Sequence, residues 1–354
     1  MSQNNRLDVE INSKALSLFL FKQQLIENKS AELTITQFTN GYSNLTYLLE
    51  FERKYFVLRM PPKGAVKRGH DMAREYKVLS KLHSIFPKAP KAIVFSNDLE
   101  ILGAPFYLME KVDGIILTTN EAKSRDIPPV DFRLISEKWL DTFVELHQLD
   151  YKSVGLEDLG KPEGYVQRQV SNWGKQYLSA ATMEVPEAHH IMQWMENNQP
   201  HNYAHRLIHN DFKYDNIVFK DESWKEVTAV LDWEMCTLGD PLMDLGTSLA
   251  YWTMKSDGPM VAQGLPSPTL LSGNPGRSEI VEMYALKSGR NVDHLVFYYV
   301  YGLFKIAVIA QQIYYRYHKG LTSNEKFASL DKASQFLCLM GWQAVQKNRI
   351  ENLF

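Results

Sequence analysis

Only two of the 354 residues are cysteines, and Cys236 and Cys338 form neither a CxxC pair nor a disulfide framework. That scarcity suits a reducing compartment, and Cys236 reads as buried filler instead of a nucleophile. An excess of one charge is missing too. With 39 basic against 41 acidic residues the formal charge is -2, so no global field draws the chain onto nucleic acid or an anionic membrane. There is no clean apolar run of bilayer length. Leu295 to Ile313 comes nearest, but Lys305 interrupts it and Gln311 and Gln312 close it, short of the ~20 apolar residues a spanning helix needs. It predicts a buried C-terminal helix. Met1 to Glu10 is polar, without the apolar stretch of a signal peptide, which together with the cysteine usage predicts a cytoplasmic protein. Internal repeats, GxGxxG and Walker A patterns are absent, and His189, His190, His201 and His205 lack the Cys or acidic spacing of a zinc site. What remains is a chain of 45% hydrophobic residues, ample for a substantial core.

The order of signals divides it in two. A helix is predicted over residues 12 to 27. Three β-rich runs follow, Glu32 to Phe38, Asn44 to Phe51 and Lys54 to Met60, separated by Asn40-Gly41 and Glu52-Arg53 as in an antiparallel meander. Residues 71 to 85 place Met72, Tyr76, Leu79 and Leu82 on one helical face. Short strands around Ala92 to Phe95 and Pro105 to Met109 complete a small lobe, ending near the turn signal Asp113-Gly114. The rest reads as mainly helical, with Leu134, Trp139, Phe143 and Leu146 sharing one side of a segment at 131 to 149. A β-rich island at 206 to 233 holds two apolar runs around the polar Lys220 to Lys225, as in a hairpin. The Gly, Pro and Ser of residues 256 to 276 predict a mobile loop.

The chemistry concentrates in His209-Asn210-Asp211-Phe212-Lys213-Tyr214-Asp215-Asn216, with Asp232 following Asp211 by 21 positions in Val230-Leu231-Asp232-Trp233-Glu234. Phosphoryl transfer needs one carboxylate at the acceptor hydroxyl and oxygen ligands that hold Mg²⁺ on the phosphates. Asp211, with Lys213 beside it, is the catalytic candidate; Asn216 and Asp232 are the metal candidates. The bland alternative makes the acids turn carboxylates and Asn216 a cap. In Leu238-Gly239-Asp240-Pro241-Leu242-Met243-Asp244-Leu245, Asp240 is a good N-cap and Pro241 a good first helical residue, so a helix should run from here towards Tyr251. His147, at the end of the segment at 131 to 149, reads as a capping or core histidine.

These residues resemble the aminoglycoside phosphotransferase family, relatives of choline kinases and protein kinases, from Phe38 to about Gly320. The resemblance implies an α+β, protein-kinase-like two-lobed fold, with a small antiparallel-sheet N-lobe over 1–112 for the nucleotide and a mainly helical C-lobe over 113–354 for the catalytic loop and acceptor pocket. It implies ATP and Mg²⁺ as cofactors, Asp211 at the substrate hydroxyl, Asn216 and Asp232 on the metal, and Asp240 and Asp244 bracing the catalytic turn. Asn210 stands where the family commonly has Gly. By the same resemblance Ser43 and Asn44, in a G-x-S-N turn, cap nucleotide phosphates. Arg59 replaces the usual Lys that holds the α- and β-phosphates, with Glu75 as its ion-pair partner and Lys54 and Lys63 as fallbacks. The backbone of Glu110 and Val112 pairs with adenine. Without the resemblance, the G-x-S-N segment would read as an ordinary hairpin turn.

For the acceptor, the segment from Arg290 to Phe354 carries eight Lys/Arg against four Asp/Glu, a poor lining for polycationic antibiotics. Its many Tyr and Phe read mostly as core. Ser43-Asn44-Leu45-Thr46-Tyr47, Val57-Leu58-Arg59, Arg74-Glu75-Tyr76, Leu231-Asp232-Trp233-Glu234 and Pro162-Glu163-Gly164-Tyr165 resemble a branch of the family found free in bacteria and fused to acyl-CoA dehydrogenases in animals. That likeness points to a 4-hydroxyacyl-CoA as the small-molecule hydroxyl acceptor. A kinase of another small alcohol and a catalytically silent nucleotide-binding protein stay open.

Overall fold

The computed structural model describes residues 11–30, 32–38, 44–62, 71–322 and 324–354. Two compact units emerge. The first comprises Met1–Asp113, Lys152–Leu159 and Thr228–Cys236, and the second Gly114–Tyr151, Gly160–Val227 and Thr237–Phe354. The sequence predicts a single boundary at 112/113, whereas two later segments belong to the first unit. The reason is hydrogen bonding: Val230 N–H donates to Lys88 O at 2.8 Å, and the Arg74 guanidinium donates to the carbonyls of Leu159, Glu234 and Cys236. No sequence period announces such long-range partners.

In the first unit the order is α1 (Ser13–Lys22), β1 (Leu33–Phe38), β2 (Leu45–Phe51), β3 (Lys54–Met60), α2 (Met72–Leu82), β4 (Ala92–Ser96), α3 (Leu99–Leu102) and β5 (Phe106–Glu110). The strands form one antiparallel sheet, ordered β1-β2-β3-β5-β4. Leu16 and Leu20 of α1 join Tyr47, Leu49, Phe51, Leu58, Phe106 and Leu108 in its core. Helix α1 is shorter than the predicted 12 to 27. Gln24 turns left-handed at φ 57 and Leu25 N–H folds back to Leu20 O at 3.0 Å, a 6→1 closure of the Schellman type. The central strand β3 is buried from Phe56 to Met60, so Arg59 lies inside, not at the surface.

The second unit holds β6 (Ile115–Ile116), α4 (Thr119–Ser124), α5 (Pro129–Gln148), α6 (Tyr165–Ala180), α7 (Pro186–Asn197), β7 (Arg206–Ile208), β8 (Ile217–Phe219), β9 (Val227–Val230, whose last residues belong to the first unit), β10 (Thr237–Gly239), α8 (Pro241–Tyr251), α9 (Pro259–Gly264), α10 (Arg277–Ser288), α11 (Leu295–His318) and α12 (Leu330–Lys347). As the sequence predicts, Lys220 N–H closes the turn after β8 on Glu226 O at 3.0 Å. Strands β7 and β10 pair with Ile208 opposite Thr237. The antiparallel register sets Arg206 opposite Gly239, just before α8, and the turn after Ile208 meets α8 through Asp244, which accepts from His209 and Asn210 N–H.

The stretch at 256 to 276 differs from the predicted mobile loop. It contains α9 and two short 3₁₀ turns at Lys255–Asp257 and Pro268–Leu270. Pro259 and Pro268 sit where helices tolerate proline, and Ser267 caps Thr269 N–H. The fully buried Arg277 clamps it, donating to Trp252 O at 3.0 Å, to Ile350 O at 2.9 Å and to Asp257, with its guanidinium 5.1 Å from the Tyr299 ring.

Among the described residues α11 alone is long and apolar enough to cross a membrane, with a mean hydropathy of 1.3 and 78% of that window buried. It is a core helix. Tyr298, Tyr299, Tyr301 and Phe304 are buried, as the sequence suggests, whereas Tyr314, Tyr315 and Tyr317 are half-buried. Helix α11 crosses α8 at backbone contact. A Cβ on Gly246 would lie 2.0 Å from Tyr298 O, and one on Gly302 would lie 2.2 Å from Gly246 O. We predict that Gly302→Ala destabilises the protein by about 1–3 kcal/mol or more, because the obstacle is backbone and cannot rotate away; denaturant unfolding with an unchanged midpoint would refute this contact.

Candidate active site

The turn between β7 and β8 carries the candidate base. Its second residue, Asn210, has φ 67, the left-handed region that Asn tolerates better than most side chains. This explains how Asn serves where the related family commonly has Gly. All its polar groups are engaged: N–H donates to Asp244 Oδ1 at 2.8 Å, the carbonyl accepts from Lys305 Nζ at 2.7 Å, and Oδ1 accepts from the Tyr165 hydroxyl at 3.3 Å. Helices α8, α11 and α6 thus hold one residue.

Asp244 braces the turn as expected. It also accepts from His209 N–H at 2.6 Å and from His147 Nε2 at 3.2 Å. Burial pulls the His147 imidazole below its ordinary range, outweighing Asp244. The ring is therefore neutral, with Nε2–H donating to Asp244 and Nδ1 accepting from the Tyr284 hydroxyl at 2.8 Å. That is the satisfied core histidine the sequence suggests. Asp240 caps α8, accepting from Leu242 N–H at 2.9 Å and from the Tyr298 hydroxyl at 2.7 Å. Burial pushes its carboxyl up to about 6.

Asp211 follows the braced residue. Its Oδ2 lies 3.1 Å from Lys213 Nζ and accepts from Asn216 Nδ2 at 2.9 Å. Burial alone would raise the carboxyl, but Lys213, His209 and Lys305 outweigh it and hold Asp211 below its ordinary range. Burial likewise opposes the charge on Lys213, and Asp211 overrides it, so the lysine titrates well above its usual value. Lys213 also stands 4.8 Å from the Tyr251 ring centroid. The structure therefore brings Asp211, Lys213 and Asn216 together.

The first unit holds the remaining candidates. On β3, Arg59 lies 3.3 Å from Glu75 Oε1, 2.9 Å from Asp232 Oδ1 and 3.3 Å from Glu234 Oε2. The ion pair expected with Glu75 forms, and two further carboxylates share the guanidinium. Burial pushes the Glu75 carboxyl up, against Arg59. Glu234 also accepts from Asn44 Nδ2 at 2.7 Å, so Asn44 is tied to the Asp232 segment. Ser43 and Lys63 lie outside the described residues. Lys54 is exposed on Glu27 and Leu25 O, away from the Arg59 cluster. Glu110 closes β5, and its side chain accepts from Lys91 N–H at 2.8 Å; Val112 follows without regular structure.

By donor chemistry Asn216 in the second unit and Asp232 in the first each suit a Mg²⁺ ion. Asn216 spends its amide nitrogen on the Asp211 carbonyl and carboxylate, leaving its oxygen as acceptor. The Asp232 side chain is 32% exposed while Arg59 engages only Oδ1. Among the described residues no group of three or more His, Cys, Asp or Glu could hold a metal. Mg²⁺ does not need one, since it keeps waters and phosphate oxygens and takes one or two protein ligands.

Sequence reasoning missed Lys305 and Glu234 as site residues. Lys305 was visible only as a charge breaking an apolar run. A lone cation at such a place must find a buried partner, and that rule would have flagged it.

A small sheet lobe with a buried Arg–Glu pair, and a helical lobe presenting a braced aspartate beside a lysine and an asparagine, define the class of kinase-like small-molecule phosphotransferases. The chain belongs to the phosphotransferase enzyme family, whose model matches residues 34–267. Human acyl-CoA dehydrogenase family member 11 is 36% identical over 323 residues, which are 89% of this chain but 41% of that protein. The chain thus spans about two fifths of the length of that relative. A solved structure from Ralstonia eutropha JMP134, assigned as an aminoglycoside phosphotransferase, is 28% identical with a TM-score of 0.80, covering 96% of this chain and 99% of that one. Choline kinase from Cryptosporidium parvum, at 12% identity, shares the fold with a TM-score of 0.63 over 95% of this chain and 97% of its own.

Asp244→Ala would leave two buried backbone N–H groups and His147 without their acceptor. We predict a loss of at least about 1–3 kcal/mol of stability together with a fall in turnover; wild-type unfolding and turnover would show that the turn does not depend on Asp244.

Proposed function

We propose that this protein transfers the γ-phosphoryl group of ATP, with Mg²⁺, to a hydroxyl of a small molecule, and that the acceptor is a 4-hydroxyacyl-CoA. One observation carries the reaction: Asp211 is held as a carboxylate beside Lys213, on a turn fixed by Asp244 and Lys305. An ionised, positioned carboxylate orients an acceptor hydroxyl and takes its proton as the hydroxyl oxygen bonds to phosphorus and the bond to the ADP oxygen breaks. Lys213 offers its ammonium to the charge on the transferring group. In this reading Asn216 and Asp232 hold Mg²⁺, which when bound neutralises phosphate charge. Arg59, fixed by Glu75, faces the α- and β-phosphates, Ser43 and Asn44 cap phosphate oxygens, and the backbone of Glu110 and Val112 pairs with adenine.

Two features support the thioester. Relatives bear the name acyl-CoA dehydrogenase family, and the segment from Arg290 onward is rich in Lys and Arg, which suits an anionic acceptor better than a cationic one.

Asp211→Asn should lower kcat by about 10²–10⁴-fold while Mg·ATP affinity by calorimetry stays near wild type; unchanged turnover would remove Asp211 from the base role. With ATP and Mg²⁺, the wild type should phosphorylate 4-hydroxybutyryl-CoA much faster than the free hydroxy acid, choline or kanamycin. Its KM should rise with ionic strength, as screening tightens to ~8 Å at physiological salt. Equal rates on thioester and free acid would refute CoA recognition, and robust choline or kanamycin turnover would assign another acceptor.

A further inference from the structure

Lysine is a costly residue to bury. Lys305 lies at 3% exposure in the middle of α11, between Phe304 and Ile306, on the most apolar long helix of the second unit. Its Nζ donates to one carbonyl, that of Asn210, at 2.7 Å. Removing an ammonium from water costs several kcal/mol unless charge and hydrogen bonds compensate, so so expensive a contact calls for a use beyond packing. The carbonyl it holds belongs to the left-handed residue immediately before Asp211.

We propose that Lys305 is a positioning residue for phosphoryl transfer, its ammonium locking the Asn210 carbonyl and thereby fixing the direction in which Asp211 meets the acceptor hydroxyl. This rests on the phosphotransfer reading above. Asp244 holds the two N–H groups of the turn from α8, and Lys305 holds the carbonyl from α11. The two helices are themselves locked together where Gly246 and Gly302 touch. The peptide joining Asn210 to Asp211 is therefore gripped at its carbonyl. Loss of that grip lets the peptide rotate and displaces the Asp211 side chain.

The charge state supplies a signature. Burial pulls the Lys305 ammonium down to about 8, while Asp211 and Asp244 favour the charge and Lys213 opposes it. Across the packed helices the charged groups bearing on it are thus Asp211 and Lys213 from the turn and Asp244 from α8; α6 contributes the neutral Tyr165 hydroxyl to the same residue. A neutral amine still donates a hydrogen bond, but a weaker one than an ammonium. Because the folded value lies below the ordinary one of 10.5, the neutral form is favoured by folding. Raising the pH from about 8 should therefore lower activity without lowering the contribution of this group to stability.

The test measures ADP release from Mg·ATP between pH 6 and 10, with 4-hydroxybutyryl-CoA and, as an acceptor-independent reference, with water alone. Wild-type kcat should decline through about pH 8. Lys305→Met should lower kcat by about 10²-fold, the scale of a misplaced reacting group, leave the KM for Mg·ATP within about twofold, and show no such alkaline decline. Lys305→Arg, whose cation does not titrate in this range, should retain more activity than Met and also lose the decline; it carries the test if the Met variant does not fold. A flat wild-type profile, or a Met or Arg variant that keeps the same alkaline decline, overturns the role of Lys305. Absence of ATP turnover by the wild type with either acceptor overturns the phosphotransfer reading itself, a result distinguishable because it appears before any substitution.

Discussion

The second unit depends on the grip around Asn210. A left-handed residue other than glycine is an unfavourable element that persists only when its surroundings over-determine it. Here the backbone N–H, the carbonyl and the side chain each find a partner on a different helix. Much of the surrounding architecture follows. The β7–β10 ribbon sets Arg206 opposite Gly239, one residue before the α8 cap, Asp240 and Pro241 start that helix so that Asp244 in its first turn meets the N–H groups of His209 and Asn210, and a neutral His147 donates to the same Asp244. The glycine crossing of α8 and α11 lets a lysine approach closely. In the proposed reaction this grip sets the direction of the Asp211 carboxylate before any substrate arrives, which is what positional and electrostatic catalysis require.

The first unit solves a different problem, that of keeping a cation inside a central strand. Arg59 is buried on β3, and Glu75, Asp232 and Glu234 surround it. A planar guanidinium with five donors can serve three carboxylates at once, whereas the ammonium of the lysine usual in related kinases would serve them as a point charge. The substitution is thus coupled to its neighbours: Glu234 also fixes Asn44, and Arg74 holds the carbonyls of Glu234 and Cys236. In the proposed function this cluster of acids around Arg59, with Arg74 beside it, supplies the carboxylate of Asp232 to Mg²⁺.

How much was legible in the sequence depended on whether a feature is local. The meander from Leu33 to Met60 was readable because alternation, β-branched residues and turn pairs act over a few positions, and β3 runs over the residues predicted, Lys54–Met60. The α8 cap was readable for the same reason. The early end of α1 was not, since it turns on one left-handed Gln. Proline and glycine between 256 and 276 suggested a loop, yet the prolines begin short helical turns and Arg277, the next residue, holds Asp257 and ties the segment to Ile350 O. Return of residues 152–159 and 228–236 to the first unit rests on bonds to Arg74 and Lys88, and no neighbouring residue signals them. For the candidate site, the motif pointed to Asp211 and Asn216 directly. Lys305 lies 94 positions beyond Asp211, and only its oddity in an apolar helix hinted at a purpose.

Every assigned role depends on the proposed transfer of a phosphoryl group to a small hydroxylated acceptor. The most direct measurement follows γ-³²P-labelled ATP with Mg²⁺ and an acyl-CoA bearing a 4-hydroxyl, separating the products by chromatography. Label should leave ATP for a phosphate ester of the acceptor, in amounts equal to the ADP formed. Label found only as inorganic phosphate, on the protein, or still in ATP with every hydroxylated acceptor supplied would contradict it.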